Sequence, residues 1–306
     1  MISANIYGWP GYTLKSADIE LGLVPDLGGR ILSLKFCGEE LLFIHPDEPR
    51  VLPDLRSMNK NQAFKRDFGF HLWGGDKVWI APEYAWRDGI PPLDLDAGRY
   101  AFKTLEDACV MTSPICRETG LQIVRYVRLE QNGDIQLVDE VHNLSDKPVL
   151  RGLWNVTQIK KPFDVYWDAD IVNIRSYHLE DPTLPDLKIV PQELSGWAHI
   201  PCRKDGYFKF GGNLRQGRIM AVREIKDDII AFARTFEIDP GAAYAHRSMA
   251  EVFNHKILPY GEVEVHAPLT EIPPGECTRF VQSWRLMAFL RSSKIDAVAS
   301  KIFTGK

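Results

Sequence analysis

An alternation of apolar and polar residues with a period of two dominates this chain and predicts β-strands. The clearest example spans residues 121–130, where apolar Leu121, Ile123, Val127 and Leu129 face one way and polar Gln122, Arg128 and Glu130 the other. Asn132-Gly133 then predicts a tight hairpin turn into a second run that begins at Ile135. A further turn after Asn143 precedes a predicted strand over residues 149–159.

Similar runs recur along the chain, separated by Gly, Pro, Asn and Asp. They predict a hairpin over residues 18–36 and strands at 207–211, 217–225, 229–236, 249–255, 260–267 and 277–286. Helical spacing is clear only after Ser292-Ser293, at Ile295, Val298, Ala299, Ile302 and Phe303. This order predicts an all-β protein, a large antiparallel β-sandwich with a short C-terminal helix.

Two polar, Pro-containing stretches, residues 46–67 and 176–205, interrupt the alternation. Long loops in a compact domain are often functional, so we expect both to border a cleft. No repeat or change in composition divides the chain, and all-β domains of this size are commonly single units. We therefore expect one domain over residues 1–306.

The composition is that of an ordinary globular protein, with 45% hydrophobic residues, 25% charged residues and a net charge of −4. This charge does not indicate a nucleic-acid partner. No apolar run approaches the roughly 20 residues that span a bilayer, so no membrane association is expected. The first ten residues lack a basic segment followed by an apolar run, which predicts a cytoplasmic location.

Cysteine and histidine spacing indicates neither a disulfide framework nor a metal site. The five cysteines form no Cys-x-x-Cys pair, and no His-x-x-x-His motif occurs. We therefore expect no metal and no other cofactor.

Residues 68–86 are the stretch most informative about function. Around Gly74-Gly75 they combine aromatic rings with charged groups: His71, Trp73, Asp76, Lys77, Trp79, Glu83 and Trp86. A sugar site needs flat apolar rings for the C–H face of the sugar and polar groups for its hydroxyls. The alternative is a buried strand with a bulge, but charged residues are rarely buried unless paired, which favours a cleft.

Segments at both ends of the chain resemble one superfamily. Leu23–Leu34 resembles the first hairpin of the aldose 1-epimerase (galactose mutarotase-like) superfamily, and Glu262–Glu276 followed by Phe280–Leu286 resembles its closing strands. Trp73–Glu83 and Tyr207–Gly211 most resemble a DUF4380-like branch of it. The resemblance extends in order from Asp18 to Leu286. It implies a β-supersandwich that binds sugars on its concave face.

Sugar 1-epimerases need a base at the anomeric hydroxyl and an acid at the ring oxygen. The resemblance implies that Glu264 is the base, and Glu262 shares its strand face by the period of two. Glu251, a carboxylate among apolar residues, is a second catalytic candidate that requires a partner. Lys209 and Arg30 are candidates for that partner or for hydroxyl binding, and Arg30 matches the Arg that often follows Gly-Gly in the superfamily.

The chain differs from the superfamily in the residue expected to act as the acid. Family mutarotases carry their acid His in a strand similar to Asn-His-x-x-Phe-Asn-Leu, whereas Leu153–Ile159 contains no His. We predict that His71 takes this role, with Lys77 as an alternative donor if its pKa is depressed. His255 and His266 are weaker, structural candidates. Predicted sugar contacts are Arg30, Trp73, Asp76, Lys77, Trp79, Glu83, Trp154, Gln158 and Lys209.

Three functions remain open on this evidence. The first is an isomerase, a sugar 1-epimerase that acts on a free or modified monosaccharide by acid–base ring opening. The second is a carbohydrate-binding protein without catalysis. The third is a glycoside hydrolase or lyase that uses two of the carboxylates Asp76, Glu83, Glu251 and Glu264. In each case the ligand is a small carbohydrate, and the cations Arg30, Lys77 and Lys209 add acidic sugars to the candidates. The oligomeric state is open.

Overall fold

The computed structural model describes residues 1–54, 64–169, 174–177, 197–204 and 206–304. Its strands are β1 (Ile2–Ile6), β2 (Trp9–Ser16), β3 (Ile19–Val24), β4 (Arg30–Phe36), β5 (Glu39–Glu40), β6 (Asp76–Ala81), β7 (Ala101–Thr104), β8 (Cys109–Thr112), β9 (Leu121–Leu129), β10 (Ile135–Asn143), β11 (Val149–Lys160), β12 (Phe163–Ala169), β13 (Arg175–Tyr177), β14 (Ala198–Cys202), β15 (Phe208–Gly212), β16 (Leu214–Ile225), β17 (Asp228–Phe236), β18 (Ala250–Asn254), β19 (Tyr260–His266), β20 (Thr270–Ile272) and β21 (Cys277–Leu290). Its α-helices are α1 (Phe64–Phe68), α2 (Leu93–Asp96) and α3 (Ile295–Thr304).

Within the described residues, these strands form a twelve-stranded and a nine-stranded sheet. The larger sheet has the order β1-β2-β3-β4-β6-β11-β19-β18-β15-β13, with β5 paired to β4 and β20 paired to β11. The smaller sheet has the order β14-β12-β16-β17-β21-β10-β9-β8-β7. Neighbours are antiparallel, as between β11 and β19 and between β17 and β21. The predicted all-β sandwich is therefore confirmed.

A continuous apolar core lies between the two sheets. It contains side chains from the larger sheet, such as Leu21 and Leu153, and from the smaller sheet, such as Leu137 and Trp284. The alternation predicted these positions, because every second residue of a strand points to the same face. The hairpin predicted at Asn132-Gly133 is also present, with β9 paired to β10.

The predicted loops are correct only in part. Residues 175–177 and 198–202 are strands, not loop, and residues 64–68 form a short helix. β14 alternates buried Ala198, Ile200 and Cys202 with half-buried residues, and the proline within it obscured this pattern. Proline is tolerated there because β14 is an edge strand. Much of both loops lies outside the described residues, and the single-domain assignment stays a prediction.

A buried polar layer crosses the core at the start of β6. Arg125 of the smaller sheet donates from Nε to Asp139 Oδ1 at 2.8 Å and from Nη2 to Asp76 Oδ1 at 2.7 Å. Asn155 and Thr157 of β11 also donate to the Asp76 carboxylate, at 3.1 and 2.8 Å. This layer connects the two sheets by an ion pair with satisfied oxygens on Asp76, the arrangement that a buried charge requires.

Helix α3 covers the outer face of the smaller sheet. Its predicted apolar positions Ile295, Val298, Ala299 and Ile302 are buried against side chains that include Met220 and Ala231. The helical spacing therefore identified both the element and its contact face. Among the described residues, no helix is long and apolar enough to cross a membrane.

Candidate functional site

The face of the larger sheet that points away from the smaller sheet, here the open face, carries the predicted ionisable groups. On β19, Val263 and Val265 belong to the core, so alternation directs Glu262, Glu264 and His266 to the open face. On β6, Val78 and Ile80 belong to the core, which directs Lys77 and Trp79 to the same open face.

The strand register aligns several of these side chains in one row. Lys77 of β6 is opposite Val156 of β11. Val156 is in turn opposite Glu264 of β19, and Glu264 is opposite Glu251 of β18. A parallel row on the same face contains Trp79, Trp154 and His266. The fold therefore brings residues more than 170 positions apart onto one surface.

Lys209 of β15 lies between two fully buried carboxylates. Its Nζ is 2.8 Å from Glu251 Oε2 and 3.0 Å from Glu264 Oε2. Trp154 Nε1 donates to the same Glu264 oxygen at 2.8 Å. The other oxygen of Glu264, Oε1, has no hydrogen-bond partner among the described residues. Glu264 is thus held by one oxygen, and its other oxygen is buried without a hydrogen bond from the described residues.

Two histidines from separate elements contact Glu251. His246 Nδ1, in the turn Ala245–Arg247, is 3.0 Å from Glu251 Oε1. His266 Nε2 is 3.4 Å from Glu251 Oε2. Among the described residues, His246 Nε2 has no partner. We call Lys209, Glu251, Glu264 and these histidines the acid–base cluster.

The turn that presents His246 has an unusual backbone. His246 and Arg247 have φ angles of 54° and 57°, in the left-handed region that non-glycine residues rarely occupy. Such conformations persist where the surrounding contacts determine them, and they concentrate at functional sites. The contact with Glu251 is one of those determinants, so the turn places the imidazole at the cost of local strain.

The two carboxylates of the acid–base cluster have pKa values displaced in opposite directions. Burial raises the pKa of Glu264 well above its ordinary value, and Glu251 and Glu262 add to this rise while Lys209 opposes it. Burial also opposes ionisation of Glu251, but Lys209, His266 and His246 outweigh it and hold the pKa of Glu251 well below its ordinary value. Burial lowers the pKa of His266, which favours its neutral form. Ionisation is therefore disfavoured for Glu264 and favoured for Glu251, although the two carboxyls are neighbours.

Three tryptophan rings lie beside the acid–base cluster. The ring centroids of Trp79 and Trp86 are 4.9 and 5.8 Å from that of Trp154. Lys209 Nζ lies 5.0 Å from the Trp154 ring centroid, which joins this tryptophan cluster to the acid–base cluster. Trp154 is buried, while Trp79 and Trp86 are half-buried and retain accessible ring surface. Flat apolar ring surface therefore adjoins the acid–base cluster.

Two buried cations, Arg30 and Lys77, occupy the other side of the tryptophan cluster. Arg30 Nη2 is 3.1 Å from Asp96 Oδ1, and Trp79 Nε1 donates to the same oxygen at 2.7 Å. Lys77 Nζ lies 3.7 Å from the Trp79 ring centroid and 4.8 Å from that of Phe70. Among the described residues, Lys77 has no ion-pair partner. Burial, and secondarily Arg30, lowers the pKa of Lys77 to about 8.

The structure brings eight of the predicted site residues to this surface. Glu264, Glu251, Lys209 and Trp154 are in contact, and Trp79, Lys77 and Arg30 continue from them along the open face. Gln158 lies on the same face and donates to Glu262 at 2.6 Å. Of the two partners predicted for Glu251, Lys209 contacts it, whereas Arg30 pairs with Asp96 instead. The shared face of Glu262 and Glu264 is confirmed.

Four predicted site residues are placed elsewhere. Asp76 lies in the inter-sheet polar layer, because β6 turns it away from Lys77. Trp73 is buried in a small core with Trp9 and Leu32. His71 stacks on Trp73, and its Nδ1 is 2.5 Å from Glu48 Oε1. It therefore lies at the edge of that small core and not in the acid–base cluster. Glu83 is exposed in the turn Glu83–Ala85.

Sequence reasoning missed His246 and underrated His266. His246 lies in a turn between β17 and β18 with no periodic pattern, so its position gave no signal. His266 alternates in register with Glu264, so the period of two predicts both on the same face.

The histidines and Glu251 also bring three possible metal ligands within 4.8 Å of one another. The ammonium of Lys209 already lies against Glu251 and supplies the positive charge there.

No family model matches the chain, and no curated protein is significantly similar to it. Solved structures are similar to it in fold. A galactose mutarotase-like protein from Lactobacillus casei ATCC 334 has a TM-score of 0.58 at 10% identity, covering 90% of this chain and 100% of that one. A galactose mutarotase-like protein from Clostridium acetobutylicum has a TM-score of 0.57 at 11% identity, covering 94% and 98%. A galactose mutarotase related enzyme from Lactobacillus acidophilus has a TM-score of 0.54 at 12% identity, covering 90% and 97%.

These similarities extend over nearly the whole chain and establish the galactose mutarotase-like fold. At such low identity they establish the fold alone. Placement in a DUF4380-like branch stays a prediction.

Proposed function

We propose that this protein is a sugar 1-epimerase (mutarotase) that interconverts the anomers of a monosaccharide bound on the open face. The observation that carries the proposal is the pair Glu251 and Glu264, which share Lys209 yet have oppositely displaced pKa values. Such displaced pairs are typical of acid–base sites. The galactose mutarotase-like fold supports the same class by analogy.

The chemistry assigns a step to each group. Glu264 Oε1 accepts the proton of the anomeric hydroxyl, and His246 Nε2 donates a proton to the ring oxygen as the C1–O5 bond breaks. Glu251, held ionised, stabilises the charged imidazole from Nδ1. The aldehyde then rotates about C1–C2. When the ring closes on the other face, Glu264 gives its proton to the aldehyde oxygen and His246 takes a proton back from the C5 hydroxyl. One transferable proton is thus conserved over the cycle.

The geometry does not favour a two-carboxylate hydrolase. Glu251 and Glu264 are directly opposite on neighbouring strands and touch the same ammonium group. Hydrolysis requires a carboxyl on either side of the scissile bond. Two carboxyls held together by one lysine lie on the same side of a bound sugar.

Polarimetry on freshly dissolved α-anomers tests the proposal. We expect the protein to accelerate the approach to anomeric equilibrium for at least one monosaccharide in a panel of hexoses and hexuronates. A protein that only binds carbohydrate would show thermal stabilisation, about 2.7 kcal/mol at a hundredfold excess over Kd, without acceleration. That result would reject the epimerase and support the binding function.

The pH profile gives a second prediction. Glu264 must be ionised to act as the base, so kcat/KM should fall as the pH drops through its pKa. Since burial raises the pKa of Glu264, this acid limb should lie well above the value of about 4.3 that an ordinary glutamate has. Initial rates in overlapping buffers from acid to neutral pH, corrected for buffer catalysis, measure it. An acid limb at the ordinary glutamate value would contradict the assignment of Glu264.

A further inference from the structure

We infer that the monosaccharide is acidic, a hexuronate whose carboxylate binds Lys77 while its anomeric hydroxyl meets Glu264. The inference rests on the proposed function, which orients the sugar by its anomeric centre. It names the class of substrate and gives Lys77 a role in specificity.

The register places the required groups at opposite ends of one row. Ile31 of β4 is opposite Asp76 of β6, so the next positions, Arg30 and Lys77, are neighbours on the open face. From Lys77 the row continues through Val156 to Glu264. Two strand spacings separate Lys77 from Glu264, or about 9.5 Å between backbones. One pyranose ring with a hydrogen bond at each end spans a distance of this order.

The arrangement of charges around Lys77 favours the binding of an anion. Arg30 and Lys77 are two buried cations; Asp96 pairs with Arg30, and Asp96, Glu262 and Glu264 attract Lys77 only at longer range. Asp96 Oδ1 is engaged by both Arg30 and Trp79. The contacts of the Lys77 ammonium are the faces of Phe70 and Trp79. A buried charge is normally paired and hydrogen-bonded, whereas Lys77 has no carboxylate within ion-pairing distance among the described residues.

A carboxylate suits this end better than a phosphate. One unpaired ammonium balances one negative charge, whereas a phosphate dianion would leave a negative charge in excess. The ammonium has three N–H donors, enough to bind a carboxylate oxygen while it remains against the rings. Burial, and secondarily Arg30, lowers the pKa of Lys77 to about 8, and a bound anion would favour the charged amine.

The test compares anomerisation of galacturonate and glucuronate with that of galactose, glucose and glucose 6-phosphate. We expect kcat/KM for a hexuronate to exceed that for the matching hexose by about tenfold or more, the ratio typical of a charge-assisted hydrogen bond. Lys77→Met should abolish this ratio, and Lys77→Arg should retain part of it. Lys103→Met is the matched control, an exposed lysine on β7 of the smaller sheet, and it should leave the ratio unchanged.

These outcomes test the inference about the substrate separately from the proposed epimerase activity. Equal rates on hexoses and hexuronates, or a ratio that survives Lys77→Met, would overturn the inference and leave the epimerase standing. A preference for glucose 6-phosphate would also overturn it. If no sugar is accelerated, the proposed function fails, and calorimetric binding decides the inference instead. Glucuronate or galacturonate binding that Lys77→Met weakens tenfold supports it, and absence of such binding overturns it.

Discussion

Glu264→Gln should lower kcat/KM for anomer interconversion by about 10²–10⁴-fold, the contribution of a positioned acid–base group. Glutamine keeps the shape of the side chain and an oxygen that can accept from Trp154 Nε1. It cannot accept the anomeric proton, so ring opening loses its base. Polarimetry of the variant and the parent protein with the same substrate measures the ratio.

The control for this prediction is Glu271→Gln. Glu271 is an exposed glutamate on β20 of the same sheet, outside the acid–base cluster, and its variant should retain the parent rate. Circular dichroism of both variants checks that the sheets are intact. A Glu264→Gln protein with the parent rate would show that another group removes the proton.

Arg125→Met should reduce the free energy of unfolding by about 3–5 kcal/mol. Arg125 is buried between the sheets and pairs with Asp76 and Asp139 at 2.7 and 2.8 Å. Methionine fills much of the same volume but leaves two carboxylates buried without their cation. Burial already raises the pKa of Asp139 in the presence of Arg125, which shows how poorly this layer solvates a free carboxylate. Urea denaturation measures the loss.

Arg128→Met provides the comparison on the same strand. Arg128 lies three residues further along β9, is exposed and pairs with Asp107 at the surface. An exposed ion pair contributes only about 0–1 kcal/mol, so the free energy of unfolding of this variant should be close to that of the parent protein. If Arg125→Met lost no more free energy of unfolding than Arg128→Met, the inter-sheet ion pair would contribute little to stability.

The fold was predictable from the sequence because strand alternation is a local signal. Residues 121–129 and 260–266 show the period of two, and both became strands at nearly the predicted bounds. The edge strand Ala198–Cys202 was missed, since its proline is a turn signal in most contexts and is tolerated only at an edge. Edge position depends on which strands pair, and that information is not local.

The site was predictable where its residues follow strand periodicity. Glu264, Glu251 and Lys209 lie on strands, and their partners could be sought among residues of opposite charge. Within residues 68–86, however, the predictions for Asp76 and Lys77 should have differed. They are adjacent on β6 and therefore face opposite sides of the sheet. Asp76 points toward Arg125 and Lys77 points to the open face.

His246 shows what local patterns cannot supply. It reaches Glu251 through a turn with two successive left-handed residues, and no propensity predicts that conformation for His-Arg. β11 contains no histidine, and Trp154 occupies the open face there. An imidazole is present at the carboxylates nonetheless, contributed by another element.

The most direct test of the account is two-dimensional proton exchange spectroscopy on equilibrated sugars with a catalytic amount of the protein. The account predicts exchange cross-peaks between the H1 signals of the α and β anomers that grow faster than in a protein-free sample of the same buffer. Exchange at the protein-free rate, for every hexose and hexuronate at concentrations that saturate binding, would contradict the claim that Glu264 and His246 open a sugar ring.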